Sequence, residues 1–548
     1  MVATNESAHT NGNGAAVEEL DALVIGAGIA GLYQLYRLRK EGLTVKSVDA
    51  ASDVGGTWYW NRYPGARVDS QSYIYQYWFS RELCEDWDWS ERFPAQPEAE
   101  RYLHYVTDRC DLRKDIIFET RVTSAVYDEA TRKWLIGTDT ARTFRAKYFV
   151  SCAGMLSSPL LTRFAGQDSF KGEVHYTARW PKEEVTFEGK RVGVIGTGAT
   201  GIQVIQTIAP LARHLTVFQR TPQYIIPMRN PPLDDGDRKR YRGEFDTLKT
   251  RIRETFAGFD YDFGDKGYDD LTPLERREHM ERIWADGSLS FWLTTFPEMF
   301  FVEAVNKEVS DFVREKMRAR IDDPAVAEKL LPTTYGFGTH RVPLESQYLE
   351  AFNRDNVELV DVSDNAIDGL TESGVRTADG TVYELDMLIL ATGFDAGTGS
   401  LTRMGIRGRD GRALKDEWSK DIRSMLGIQV HGYPNLFMTA APLAPSAAFC
   451  NMTTCLQQQV DWITDCIVHM QKNGIETMEP TREAEEEWVR HHDETANATL
   501  VTKTHSWYMG SNVEGKQRRL LSYIGGANRY HERCDQIARD GYPGFALN

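Results

Sequence analysis

Leu23-Val24-Ile25-Gly26-Ala27-Gly28-Ile29-Ala30-Gly31 joins a short β-branched run to a glycine-rich turn and then to a helix-forming stretch. In such a turn the first glycine makes the tight bend, the second lets the backbone approach a pyrophosphate, and the third lets helix and strand pack closely. The phosphates then lie at the positive N-terminus of the helix. This stretch predicts a dinucleotide-binding βαβ unit, although one such turn also arises by chance.

The same pattern recurs 170 residues later, where a second β-branched run leads into Gly196-Thr197-Gly198-Ala199-Thr200-Gly201. Two turns in matching strand contexts are much harder to attribute to chance than one. They predict that two nucleotide pyrophosphates are bound, and hence two redox cofactors.

The residues that follow each turn indicate which nucleotide is bound. Asp49 ends a strand 18 residues beyond Gly31, where a carboxylate can accept both ribose hydroxyls of FAD or NAD. Arg220 ends a strand 19 residues beyond Gly201, where a cation suits the 2′-phosphate of NADP, with Thr221 as a possible hydrogen-bond partner. The alternative for Arg220 is a solvated charge at the end of a strand.

The bulk composition narrows the class of protein. A chain of 548 residues exceeds one core, so two to four domains are expected. The formal net charge of −16 argues against nucleic acid or an anionic membrane as the main partner. No run of apolar residues is long enough to span a membrane. The first 20 residues are polar and lack the apolar core of a secretion signal, which predicts a disordered leader.

The cysteines and histidines offer little further chemistry. Seven scattered cysteines suit a reducing cytosol with free, mostly buried thiols, so a cytoplasmic protein is expected. Cys450 and Cys455 have the spacing of a flavin-linked redox pair, but they lie far downstream of the first glycine turn, which disfavours that role. His491 and His492 are adjacent on an acidic helix, a poor geometry for metal binding, and are interpreted as a solvated face. No metal site and no particular oligomeric state are indicated.

Two strand ends predict how the domains are connected. The stretches Phe149–Gly154 (FVSCAG) and Leu388–Asp395 (LILATGFD) have the pattern of the two crossings between the nucleotide domains of flavoproteins. The predicted fold class is therefore α/β, with two Rossmann-type domains, the NADPH domain inserted in the FAD domain, and a helical insertion. The expected boundaries are a leader at 1–20, an FAD domain at 21–152 and 391–548, an NADPH domain at 153–222 and 333–390, and a helical insertion at 223–332.

Residues Gly55–Asp69 (GGTWYWNRYPGARVD) fit the signature [A/G]-G-x-W-x4-[F/Y]-P-[G/M]-x3-D at every fixed position. On this stretch the chain resembles the type I Baeyer–Villiger monooxygenases, with phenylacetone, steroid and cyclohexanone monooxygenases as the nearest types. A second signature, F-x-G-x3-H-x3-W-P, fits from Phe170 to Pro181, except that Tyr176 stands in the histidine position and His175 precedes it. In the family this histidine helps coordinate domain movement. Tyrosine can donate a hydrogen bond but cannot take a proton charge near neutrality, so the family's domain coupling is not carried over to this chain.

The resemblance implies a reaction, in which ketones become esters or lactones with O2 and NADPH through a C4a-peroxyflavin. The family's catalytic arginine falls on Arg341 and its partner carboxylate on Asp69. A guanidinium stays charged at every working pH and can offset a peroxide anion, while a carboxylate holds it in position. Three alternatives stay open: an Arg–Asp pair that only braces two domains, a flavin monooxygenase that oxidises nitrogen or sulfur, and a nucleotide-binding sensor or scaffold without turnover.

The resemblance also implies a set of cofactor-binding residues around both nucleotides. His340 replaces a lysine that usually binds the 2′-phosphate, so NADPH is still expected, either held more loosely or with weaker rejection of NADH. Trp507 lies in a C-terminal stretch similar to the family's mobile loop, although it can equally be an ordinary packed aromatic. Small residues at 444 and 446–448, in the loop Ala441–Met452, would leave room for a larger ketone. The full expected set is Gly26, Gly28, Gly31, Asp49, Gly56, Thr57, Trp58, Tyr59, Trp60, Arg67, Asp69, Tyr75, Val122, Gly196, Thr197, Gly198, Ala199, Thr200, Gly201, Gln203, Gln219, Arg220, Thr221, His340, Arg341 and Trp507.

Overall fold

The computed structural model describes residues 17–548, so most of the expected leader lies outside the described residues. The first strand begins at Val17, four residues before the expected start of the FAD domain. The strands are β1 Val17–Ile25, β2 Val45–Val48, β3 Ile116–Ile117, β4 Val122–Asp128, β5 Lys133–Thr138, β6 Thr143–Ser151, β7 Glu173–Tyr176, β8 Arg191–Ile195, β9 His214–Gln219, β10 Ile226–Pro227, β11 Leu344–Glu345, β12 Val357–Asp361, β13 Ile367–Leu370, β14 Gly374–Thr377, β15 Val382–Glu384, β16 Met387–Leu390, β17 Ile406–Arg407, β18 Leu436–Met438, β19 Met478–Pro480 and β20 Phe545–Leu547.

The α-helices connect these strands and cover the sheets on both sides. They are α1 Ile29–Lys40, α2 Thr57–Trp60, α3 Arg81–Glu85, α4 Gln96–Arg109, α5 Ala199–Ile208, α6 Asp235–Gly243, α7 Phe245–Glu254, α8 Pro273–Asp286, α9 Ser290–Thr294, α10 Glu303–Arg318, α11 Pro324–Leu330, α12 Tyr348–Ala351, α13 Gly399–Thr402, α14 Leu414–Trp418, α15 Met452–Lys472, α16 Arg482–Asn497 and α17 Ala527–Arg539.

The first large sheet has eight strands in the order β17-β4-β5-β6-β1-β2-β3, with β18 paired to β6. Strand β1 runs parallel to both β2 and β6, and Leu23, Val24 and Ile25 are buried because helices pack on the sheet. Helix α1 begins directly after the first glycine turn and packs against the long helix α15.

The second large sheet is parallel throughout, in the order β12-β9-β8-β16-β7. Its strands come from residues 173–219 and 357–390, whereas the first sheet uses residues 17–151 and 406–438. The chain therefore leaves the first sheet after β6 and returns to it after β16. This arrangement confirms the predicted fold class.

Helices dominate the segment between the two halves of the second sheet. Helix α8 has an N-terminus whose form follows from its sequence: Thr272 and Glu275 cap each other's backbone N–H groups, and Pro273 occupies the first turn. Gly287, at φ +63°, ends the helix in the left-handed conformation that glycine tolerates best. Helices α6 to α11 together form the helical insertion.

Two expectations about individual side chains are wrong. Cys450 and Cys455 are not free thiols but form a disulfide, because Cys455 lies in the first turn of α15 and the chain before that helix turns back toward it. His492 is buried rather than solvated, since it lies on the face of α16 that carries Trp488 and Val489 into the core. Across residues 17–548 no cluster of three metal-ligating side chains occurs, and none of the helices has the length and apolar character to cross a bilayer.

Candidate active site between the two nucleotide turns

The first glycine turn brings β1 and α1 closer together than side chains would permit. A Cβ added to Gly31 would lie 1.8 Å from the carbonyl oxygen of Gly26. Gly26 itself has φ +108°, and its added Cβ would lie 2.5 Å from the Cys152 carbonyl oxygen. Gly28 lies close to Gly56, the second glycine of the Gly55–Asp69 signature. A Cβ added to Gly28 would lie 3.2 Å from the Gly56 Cα atom. The N-terminus of α1 is thus open to a pyrophosphate.

A cavity of about 500 Å³ begins at this turn. Its lining includes Asp49, which follows β2, together with Tyr75 and Ala447. Nine of the expected cofactor residues line it: Gly26, Gly28, Asp49, Gly56, Thr57, Trp58, Trp60, Tyr75 and Val122. A cleft whose wall contains a glycine turn, a carboxylate and aromatic rings fits an extended dinucleotide such as FAD.

Two expected residues lie elsewhere. The Tyr59 hydroxyl is hydrogen-bonded to Ser52 Oγ at 2.7 Å, and Tyr59 is not among the residues that line the cavity. The Arg67 guanidinium pairs with Glu91 and donates to the Phe93 carbonyl oxygen, also away from the cavity.

Asp49 is oriented by the backbone on both sides of its carboxylate. Oδ2 accepts from the Ala27 amide at 2.6 Å and Oδ1 accepts from the Ala51 amide at 2.7 Å. Each carboxylate oxygen retains a further lone pair that a ribose hydroxyl can donate to. Burial raises the pKa of Asp49, and the two amide donors act against that rise.

The second glycine turn repeats the close packing of the first. A Cβ on Gly201 would lie 2.0 Å from the Gly196 carbonyl oxygen, and one on Gly196 would lie 2.6 Å from the Ala391 carbonyl oxygen. In contrast, a Cβ on Gly198 would meet no atom within 4 Å. Gly198 therefore leaves open space before the N-terminus of α5 rather than filling a crowded corner. This is the geometry that a second pyrophosphate requires.

The residues at the end of β9 differ in their surroundings. Arg220 is exposed, and its guanidinium has neither a hydrogen-bond nor an ion-pair partner within residues 17–548. The neighbouring Thr221 accepts a hydrogen bond from Thr197 Oγ1 through its carbonyl oxygen, at 3.1 Å. Gln219 is buried and donates to the Lys329 carbonyl oxygen at 2.7 Å. Arg220 is therefore the cation free to bind an anion, and the Thr221 hydroxyl, whose residue is bonded only through its backbone, has no partner within residues 17–548 either.

His340 contributes no positive charge to this region. Its ring stacks on Tyr335 with the centroids 3.8 Å apart. Burial, aided by repulsion from His505, lowers the pKa of His340 to about 4. The imidazole is therefore neutral at physiological pH, and the attraction that a lysine would exert on a phosphate is absent.

Arg341 and Asp69 form the ion pair that the resemblance implies. Arg341 also donates to the Ala447 carbonyl oxygen at 3.4 Å, and Ala447 lines the cavity. Burial alone would lower the pKa of the guanidinium, but Asp69 and the hydroxyl of Tyr508 raise it above its ordinary value. The site thus holds a permanent cation next to Ala447 of the cavity wall.

The signature segment also connects the two nucleotide domains. The Tyr63 hydroxyl donates to Gln203 Oε1 at 2.9 Å, and Gln203 Nε2 donates to the Arg67 carbonyl oxygen at 3.1 Å. Gly65 packs so closely on α5 that an added Cβ would lie 2.2 Å from Thr207 Oγ1. These contacts attach the signature segment, which ends at Asp69, to helix α5, which follows the second glycine turn.

Tyr176 and His175 point to opposite faces of β7, as neighbours on a strand do. The Tyr176 hydroxyl donates to the Thr162 carbonyl oxygen at 2.9 Å and accepts from Gln167 at 3.2 Å. The His175 ring lies 5.3 Å from that of Trp180 and its Nε2 is 3.1 Å from Glu173. His175 therefore does not take the place that Tyr176 occupies.

Sequence patterns gave no indication of two aromatic residues beside Arg341. The Trp292 ring centroid is 5.4 Å from Arg341 Cζ, and Tyr508 donates to the Ala448 carbonyl oxygen at 3.3 Å. Tyr508 follows Trp507, which is half-buried and packs edge-on against it at 4.5 Å. The sequence pattern that singled out Trp507 could also have pointed to its neighbour Tyr508. Trp292 lies in the helical insertion, where no motif was recognised.

The small residues of the loop Ala441–Met452 do not open a large cavity. Ala444 packs against Gly427, where an added Cβ would lie 2.4 Å from the alanine Cβ, and Ser446 and Ala448 are likewise buried. Ala447 alone among the four lines the cavity. The expectation of room for a larger ketone therefore loses its basis, because the remaining three residues are small to fit the protein core.

Comparisons with known proteins agree with this geometry. A family model described as flavin-binding monooxygenase-like matches residues 21–231. The chain is 57% identical to an acetone monooxygenase (methyl acetate-forming) of Gordonia sp. strain TY-5, over 96% of this chain and 99% of that protein. It is 41% identical to a cyclopentanone 1,2-monooxygenase of Comamonas sp. strain NCIMB 9872, over 98% and 97%. A crystal structure of OTEMO with FAD and NADP superposes with a TM-score of 0.93 at 40% identity, covering 96% and 99% of the two chains.

Proposed function

Since this chain belongs to the FAD- and NADP-dependent Baeyer–Villiger monooxygenases, we propose that its own substrate is a small ketone, converted to an ester or lactone with NADPH and O2. The relative at 57% identity is named for acetone and for methyl acetate as its product. A compact acyclic ketone is therefore the preferred substrate. The enclosure of Arg341 by buried aromatic rings supports a small reaction space.

The observation that carries this proposal is the half-buried Arg341–Asp69 pair beside the cavity wall at Ala447. Bound FAD would accept hydride from NADPH and activate O2 for transfer to the carbonyl carbon. Arg341 supplies the positive charge that stabilises negative charge on the reacting oxygen atoms, in a site from which bulk water is largely excluded. Asp69 holds the guanidinium in place and offsets the cost of burying it.

The remaining cofactor contacts are proposed on the geometry of the two turns. Gly28 and Gly56 allow the backbone to approach the pyrophosphate of FAD, and Asp49 accepts its ribose hydroxyls. Gly198 leaves space for the pyrophosphate of NADPH, and Arg220 binds the 2′-phosphate. The assignment of Trp507 to the nicotinamide ribose stays a prediction.

The cellular setting is part of the same proposal. O2 is the second substrate, and the net charge of −16 disfavours nucleic acid as a partner. We place the enzyme in the cytoplasm, because five of its seven cysteines are free thiols, which suits a reducing compartment.

Product analysis tests this function directly. The purified holoenzyme is mixed with NADPH in air and with acetone, butanone, cyclohexanone and a steroid ketone in turn, and products are identified by mass. We expect ketone-dependent NADPH oxidation and a product one oxygen atom heavier, with acetone and butanone used best. Oxidation of an amine or sulfide but of no ketone would favour the alternative monooxygenase, and no oxygen-dependent NADPH consumption would favour a sensor or scaffold.

A further inference from the structure

Trp292 is a buried aromatic residue that contacts the cation of the site without any polar bond to it. It lies in the short helix α9, its exposed fraction is 1%, and the Arg341 guanidinium carbon lies 5.4 Å from its ring centroid. A guanidinium at this distance is attracted by the electron-rich face of an indole, and the attraction grows when both groups are removed from water.

The indole is fixed from several sides. Gly338, at φ +78°, carries the backbone so close to it that an added Cβ would lie 2.8 Å from Trp292 Nε1. The ring also contacts Phe449, from the loop that contains Ala447, at a centroid distance of 6.2 Å. Gly338 is three residues before Arg341, so the turn that presents the arginine is shaped around this indole.

The contacts of Arg341 divide into two kinds. Asp69 and the Ala447 carbonyl oxygen accept its N–H groups, and Asp69 is its one ion-pair partner in the described part of the chain. A second carboxylate would hold the guanidinium equally well, but it would cancel the positive field that an anionic oxygen needs. An aromatic face stabilises the cation while leaving its net charge and its remaining N–H donors available.

We propose that Trp292 is a positioning residue for oxygen insertion, which holds the Arg341 guanidinium against Asp69 and Ala447 and preserves its charge for the reacting oxygen atoms. This inference rests on the proposed function, because it assigns Trp292 to the step that uses Arg341. It predicts that losing the indole impairs oxygen transfer to the ketone while flavin reduction by NADPH, which does not depend on Arg341, continues.

The test compares Trp292→Phe, which keeps a ring face, with Trp292→Leu, which has none. The control is Trp284→Leu in α8, a tryptophan of the same insertion whose ring packs on Phe291 and Phe312 at 5.1 and 5.8 Å. For each variant we measure the melting temperature, the FAD content, the rate of anaerobic flavin reduction by NADPH, and the ester formed per NADPH consumed in air. If Trp292→Leu does not fold, Trp292→Met serves as the ringless variant.

We expect the ringless variant to form roughly tenfold less ester per NADPH, with the missing oxygen appearing as H2O2 and with flavin reduction unchanged. Trp292→Phe should recover most of the loss, and Trp284→Leu should not reproduce it. Equal ester yields in the Phe and ringless variants would overturn the inference, as would a parallel loss of flavin reduction. Failure of the wild-type enzyme to oxygenate any ketone would instead refute the proposed function.

Discussion

We propose that single residues decide how this chain distinguishes its nucleotides. Arg220 is an exposed cation with no partner in the described residues, while His340, in the position of a family lysine, is a neutral ring stacked on Tyr335. The sequence predicted both residues and the neutrality of the histidine. It did not predict the stacking, because the distance between His340 and Tyr335 depends on how the intervening turn folds. Trp292 escaped prediction because it lies in the helical insertion, where the sequence carries no recognised motif.

NADPH binding should depend on Arg220 and hardly on His340. Arg220→Ala is expected to raise the KM for NADPH by about tenfold, equivalent to ~1.4 kcal/mol, and to leave the KM for NADH unchanged. His340→Gln removes a ring that is already uncharged, so it should alter neither value, and the KM for NADPH should show no titration of this histidine between pH 6 and 8. Steady-state kinetics with both nucleotides decide the matter. An unchanged KM for NADPH in Arg220→Ala would refute the assignment.

At the scale of elements, each nucleotide site is built from a strand, a glycine turn and a helix. The sequence predicted this unit twice because three glycines at fixed spacing are required by close backbone approach, which is a local property. Other elements depend on tertiary packing: α16 turns His492 into the core, and the start of α15 brings Cys455 to Cys450. Neither outcome follows from local patterns.

Two alanine substitutions in one turn separate packing from nucleotide binding. Gly201→Ala places a Cβ about where the Gly196 carbonyl oxygen lies, so we expect a lower melting temperature and disturbed packing of α5. Gly198→Ala meets no protein atom, and its backbone, at φ −73°, suits any residue. That variant should keep the wild-type melting temperature and FAD content but bind NADPH more weakly. Wild-type NADPH affinity in Gly198→Ala would contradict this account of the turn.

The C-terminal helix α17 carries a histidine that should make stability depend on pH. His531 is buried, and burial together with Arg253 lowers its pKa from 6.5 to about 4. As the pH falls, the unfolded chain binds this proton before the folded chain does. The contribution of His531 to the free energy of unfolding is therefore full above pH 6.5 and declines as the pH falls toward 4. We expect wild type to lose about 1.4 kcal/mol per pH unit in this range relative to His531→Gln, in urea titrations. A constant difference between the two proteins would show that His531 titrates normally.

In the whole molecule, two sheets are joined by two crossings. We propose that the reaction site lies where the first glycine cavity, the signature segment and the turn before Arg341 meet. The way the chain passes between the two sheets was predictable, because the residues at the ends of strands β6 and β16 carry recognisable sequence patterns. The sequence did not predict a small substrate, because the alanines at 444 and 448 suggest room, whereas in the structure Ala444 packs against Gly427 and Ala448 is buried.

The central claim is that Arg341 acts in oxygen transfer and not in flavin reduction. The most direct measurement compares wild type with Arg341→Ala for two rates on the same preparation: anaerobic flavin reduction by NADPH, and ester formation from acetone in air. We predict that reduction continues at close to the wild-type rate while ester formation is lost. Ester formation that survives the substitution, or flavin reduction that disappears with it, would contradict the account.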